Sequence, residues 1–179
     1  MLEGLAARLA AERGVSTVLM TEARDCVEQI DALLAAPELS EASFSGYVQH
    51  NGRFHDLLAE MAGSDMVQRQ LERAKTLPFA SPNGFVLART TGPGARDVLV
   101  VAQAQHRNVL DAIRQREGAR AESLMREHAR NAHGNLAEQN RLVGAQHGAD
   151  TTRPAGAAAP TVAPAARPEP PAALALLKP

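Results

Sequence analysis

The chain has 179 residues, 45% of them apolar and 22% charged, with a formal net charge of −1 at pH 7, which makes one ordinary globular domain with some excess. Its acids and bases are interspersed rather than massed on one stripe, which excludes an electrostatic footprint for a nucleic-acid backbone or an anionic membrane. No apolar run reaches the roughly 18 residues of a membrane span, and the start lacks the basic-then-apolar order of a signal peptide, so the expected location is the cytoplasm.

Leu2, Leu5, Ala6, Leu9 and Ala10 recur at helical spacing and predict a first helix from Leu2 to about Arg13, stopped by Gly14. A second is expected from about Val15 or Ser16 to Ala36, with Val18, Cys26, Ile30, Leu33 and Leu34 inward and Pro37 ending it. Cys26 is the sole cysteine, so it forms no internal disulfide and reads as packing. Ser40 opens a third helix running to about Ala62 and closed by Gly63. Its stripe is Phe44, Tyr47, Val48, Phe54, Leu58 and Met61, with Asn51 and His55 within or beside it. A shorter helix from about Ser64 to Lys75 would carry Met66, Val67, Leu71 and Ala74 inward. From Leu77 to Phe85 the prolines, Ser81, Asn83 and Gly84 give either a bent connector or a short helix begun at Pro82.

Pro93 and Gly94 mark the start of a long helix from about Ala95 to Gly118, with His106 in the middle of the stripe Leu99, Ala102, Val109, Leu110 and Ile113. The last helix spans about Ala119 to Val143, with His128 on the line of Ala121, Leu124, Met125, Ala132 and Leu136. From Gly144 onward the periodicity dies, and this tail holds seven of the eleven prolines, which reads as disorder. Aromatic residues are scarce, with no Trp, one Tyr and four Phe. No strand alternation, hairpin turn or phosphate loop appears. The expected fold is all-α: an antiparallel bundle of six to seven helices over residues 1–143, followed by an Ala/Pro-rich tail over 144–179.

The chemistry lies in polar residues on apolar lines. A lone histidine on such a line is more often a core residue bonded to a carbonyl than a ligand. Three of them, His55, His106 and His128, on three separate helices, point instead to one interior chamber, because buried polar groups must be satisfied. Asn51 lies four residues before His55, hence one helical turn away and able to reach the same point. Neutral imidazoles suit zinc, nickel, iron or manganese and leave positions open for water or for the carboxylate of a small organic acid. His50, His133 and His147 read as surface residues. Arg69, Arg73 and Arg130 can grip a carboxylate in bidentate fashion, but a solvated position is the commoner role and the expected one for each. An enzyme is not expected, since Glu127 and Asp56 adjoin His128 and His55 and so point about a hundred degrees away, leaving no general base on the stripe. The alternatives are a helical-bundle metalloenzyme and a metal-free helical interaction module.

Four stretches carry a family resemblance over about residues 1–143. Leu2-Glu3-Gly4-Leu5-Ala6-Ala7-Arg8-Leu9-Ala10-Ala11-Glu12-Arg13, Asn51-Gly52-Arg53-Phe54-His55, Gln105-His106 and Met125-Arg126-Glu127-His128 stand in order. Together they resemble the C-terminal effector-binding domain, called FCD, of FadR-type regulators in the GntR family. The Leu77–Ser81 segment is similar to the connector of the vanillate-responsive repressors among them. The resemblance implies a transcription regulator that binds a small, aromatic organic acid and forms a homodimer. It implies DNA contact only through a winged helix-turn-helix, which this chain does not contain. It also implies metal ligation by Asn51, His55, His106 and His128, and effector contacts from those four with Asn135 and Ser81. Asn51 departs from the family's usual Asp, and a neutral amide oxygen is a poorer ligand for a divalent ion than a carboxylate.

Overall fold

The computed structural model describes residues 2–77 and 94–150, the side chains of 136, 138–140 and 142–150 excepted. Among the described residues there are six helices and no strand: α1 (Leu2–Arg13), α2 (Thr17–Leu34), α3 (Glu41–Met61), α4 (Asp65–Lys75), α5 (Ala95–Arg114) and α6 (Gly118–Asp150). The all-α bundle expected from the periodicity is therefore present.

Local signals explain most of the boundaries. Ser16 caps α2 by accepting from the Leu19 amide, and Ser40 caps α3 by accepting from the Ser43 amide. Basic side chains from neighbouring helices close two C-termini. Arg13 donates to the carbonyls of Ala62 and Gly63 beyond α3, and Arg96 donates to those of Leu34 and Ala36 at the end of α2.

Between α5 and α6 the chain turns through Arg116, at φ 63°. The Glu117 amide donates to Ala112 O at 2.9 Å and the Arg116 amide to Ile113 O at 3.1 Å, which is a Schellman ending with arginine in the left-handed position. Helix α5 thus stops at Arg114, short of the expected Gly118, and Gly118 instead opens α6.

Other expectations are corrected by rotation of a face. Val18 is 65% exposed and Met66 69% exposed. Each lies one residue, about 100°, off the true stripe, which is Leu19, Ala23, Cys26, Val27, Ile30 and Leu34 in α2 and Val67 and Leu71 in α4. Helix α2 ends at Leu34 rather than Ala36. The final helix passes the expected end at Val143 and continues to Asp150, so the tail expected to be disordered from Gly144 is helical for its first seven residues. A single Gly in a helix costs only about 1 kcal/mol and need not stop it. Residues 151–179 and the connector containing Ser81 and Asn83 lie outside the described residues.

Helix α1 packs most extensively against α6, and its Ala6, Ala7, Ala10 and Ala11 are all fully buried. A seam of methyl groups brings two helices close, and Gly4 shows how close: a Cβ there would lie 2.7 Å from Arg126 Cγ. The first turn of α1 is thereby held against the core, which decides what Glu3 can reach. A second consequence is testable at Gly14, which has φ 87° and would place a Cβ 2.1 Å from Arg116 Nη1. Gly14→Ala should destabilise the domain by about 1–2 kcal/mol for the left-handed backbone alone. Displacement of Arg116, whose Nη2 donates to Glu12 O at 2.8 Å, would add to that loss. A thermal melt checks it, and an unchanged midpoint would contradict the account.

Candidate metal and effector site

Helices α3, α5 and α6 each send one buried imidazole to a common point. His55, His106 and His128 are 4%, 0% and 7% exposed, and one ligand nitrogen from each lies within 4.8 Å of the other two. The structure brings together the three histidines that the sequence singled out. Phe54 backs them, its ring 4.3 Å from that of His106 and edge-on to His55 at 5.6 Å.

The partners of the outer nitrogens fix much of the protonation. Gln103, fully buried, donates from Nε2 to Val27 O at 2.7 Å and to Asp31 Oδ1 at 2.8 Å. Both its amide hydrogens are engaged on α2, so its Oε1 is the acceptor 3.1 Å from His106 Nδ1. His106 therefore carries its proton on Nδ1 and leaves Nε2 bare. His55 Nδ1 donates to Glu3 Oε1 at 2.6 Å, leaving its Nε2 buried with no partner among the described residues. His128 Nδ1 lies 3.2 Å from Gln105 Oε1. His106 Nε2 and His128 Nε2 face one another at 3.3 Å.

Burial raises the Glu3 carboxyl, but His55 beside it, by charge and hydrogen bond, and then His128 hold it down to about 2. Burial pushes His128 down to about 3, with the charge of His55 adding to the effect. His106 lies well below 6.5 for the same reason, burial first and then His128 and His55. In the ion-free domain both rings stay neutral where the unfolded chain, at 6.5, takes up protons. Stability should therefore be lost as pH falls from 6.5 toward 3, and Glu3, protonated at 4.5 when unfolded but ionised when folded, adds a loss between 4.5 and about 2. Urea midpoints at about pH 7.5 and about pH 5 test the sign, and equal midpoints would contradict it.

A buried polar nitrogen without a partner is costly, and among the described residues His55 Nε2 is one. Two imidazole nitrogens bound about 2.0–2.1 Å from a tetrahedral zinc stand roughly 3.3 Å apart, which matches the His106 to His128 separation. The donor set thus fits a borderline divalent ion, and each ligand ring has the outer hydrogen-bond partner that such ligands use for orientation. Beside it opens a cavity of ≈ 530 Å³ between α3, α5 and α6, lined among others by Tyr47, Asn51, Leu99, Gln105, His128, Arg130 and Asn135. Asn51, 2% exposed, and Asn135 are thus placed on the cavity wall with His128, whereas Ser81 lies outside the described residues.

A family model, the FCD domain, matches residues 1–131. This chain belongs to the FCD domain family. FCD domains are the C-terminal effector domains of GntR-family regulators, so the chain is an effector-binding regulatory domain. No curated protein matches it. Among the described residues of this FCD domain no helix is long and apolar enough to cross a membrane.

Sequence reasoning missed Glu3, Gln103 and their roles. Gln103 carried a usable signal, a polar residue one turn before His106 on a line that is otherwise apolar. Glu3 carried none, because an acid in a first helical turn is ordinary. His50, read as a surface residue, is half-buried. Cys26 is buried and its thiol donates to His50 O at 3.1 Å, His133, Arg69 and Arg73 are exposed, and Asp56 pairs with Lys75. Arg130 pairs with Glu127 at 3.2 Å on the cavity rim.

Proposed function

We propose that this FCD domain is the ligand-sensing and dimerisation part of a cytoplasmic transcription regulator, holding a divalent ion on His55, His106 and His128 and taking a small organic acid in the adjoining cavity. The observation that carries this reading is the convergence of three buried imidazoles, one with a partnerless Nε2, beside a cavity large enough for a small ligand. When bound, the ion supplies positive charge and open positions for a carboxylate oxygen.

The chain's own residues do the rest. Asn51 and Asn135 offer amide groups to the body of the ligand, Leu99 gives it an apolar wall, and Arg130 at the rim meets a second anionic or polar group. Ser81 in the connector is a further effector contact in this proposal. An aromatic monocarboxylic acid of the vanillate type suits such a wall. A ligand touching α3, α5 and α6 together shifts the balance between arrangements of those helices by its differential affinity. That shift reaches DNA through a winged-helix module paired across the homodimer.

Metal analysis of protein purified without chelator, followed by a thermal-shift panel of aromatic and hydroxy acids with and without chelator, tests the reading. A ligand at 100 times its Kd stabilises by about 2.7 kcal/mol, and the stabilisation should vanish when the ion is stripped. Absence of both metal and any ligand shift would point to a metal-free interaction module. Ester or amide turnover above the free-ion rate would point to a metalloenzyme.

A further inference from the structure

The two glutamines that meet the imidazoles are not equivalent. Gln103 is clamped by α2 through both amide hydrogens, so its oxygen has one direction. Gln105 faces His128 Nδ1 with its Oε1 at 3.2 Å, the orientation that a filled site requires, and otherwise lines the cavity; among the described residues no second partner holds its amide.

His106 Nε2 is bare by the Gln103 argument and lies 3.3 Å from His128 Nε2. Without an ion, two bare nitrogens at that distance repel. The conflict ends if His128 carries its proton on Nε2 and donates it to His106. His128 Nδ1 is then bare, and Gln105 must turn its NH2 group to the ring and its carbonyl oxygen to the cavity. With an ion, both Nε2 atoms must be bare. One proton leaves His128 Nε2 to water and one is taken up from water at Nδ1, so the ring keeps its charge. Gln105 then turns its oxygen to Nδ1 and its NH2 group to the cavity.

We propose that Gln105 is a two-position amide switch, presenting an acceptor to the cavity when the histidine site is empty and a pair of donors when it is filled. The inference rests on the three histidines being an ion site, and it makes ion and ligand binding cooperative through one side chain. An anionic or carbonyl oxygen beside Gln105 meets that side chain's N–H donors only on the loaded protein. Gln105 is a positioning residue in this scheme, acting through His128.

The test is nitrogen NMR of the histidine rings in the whole chain, uniformly labelled, at about pH 8, before and after addition of zinc alone. The expected result is His106 protonated on Nδ1 throughout, with the proton of His128 on Nε2 before zinc and on Nδ1 after it. In Gln105→Glu the carboxylate only accepts, so His128 Nδ1 should be protonated with and without zinc. Finding His128 protonated on Nδ1 in the ion-free wild-type chain would overturn the switch, as would a normal proton exchange in Gln105→Glu. If His128 is protonated on Nε2 without zinc and zinc then changes no ring, the ion reading itself fails and the switch falls with it. That pattern is distinct from the first two.

Discussion

Replacement of His106 and His128 together by alanine should lower zinc affinity by about 10⁴-fold or more. Structural zinc sites with four ligands are worth about 10–16 kcal/mol, so each lost donor removes roughly 3 kcal/mol, and two remove about 6. Competition against a chromophoric chelator measures it. His133→Ala, on the exposed face of α6, is the control and should bind as the unaltered chain does. Equal zinc affinity in the double variant would show that the three-histidine assignment is wrong. The same variant should lose ligand-induced thermal stabilisation, because His128 lines the cavity as well as facing His106.

Phe54→Ala should be the most damaging single core substitution near the site, at about 3–5 kcal/mol. Phe54 is fully buried, and its ring lies 4.3 Å from His106 with the two planes tilted by 33°. Its removal leaves a void on the side of the imidazole that Gln103 does not hold. Zinc affinity should fall with stability even though no ligand is touched, since a loosened ring no longer stands at the required separation. Phe54→Leu fills most of the space and should recover most of both losses. Urea unfolding gives the stability, and a cost below about 1 kcal/mol for the alanine variant would mean that the surroundings collapse onto the gap.

Helical periodicity made the bundle legible because an apolar stripe at 3.6-residue spacing is a property of single segments. His106 and His128 stood out for the same reason, as polar breaks in such stripes, and the structure brings them together with His55. Faces were harder to read than elements. Val18 and Met66 are apolar and adjacent to the true line, so composition alone favoured them, and only packing showed each to be one step off. The Schellman ending at Arg116 was hidden because left-handed positions are usually betrayed by Gly, and the nearby Gly118 drew the boundary to itself. Glu3 was illegible for a deeper reason. Its meeting with His55 spans 52 residues and depends on how closely the first turn of α1, at Gly4, seats on α6, which no local pattern encodes.

The histidines come from α3, α5 and α6, and the carboxylate that orients His55 comes from α1. No hairpin or pair of neighbouring helices contains the complete set, so a partly folded chain cannot assemble it. On the proposed reading, zinc capture is a late event in folding, arriving only when four distant segments have docked. Its kinetics would serve as a clock for the docking of those four helices.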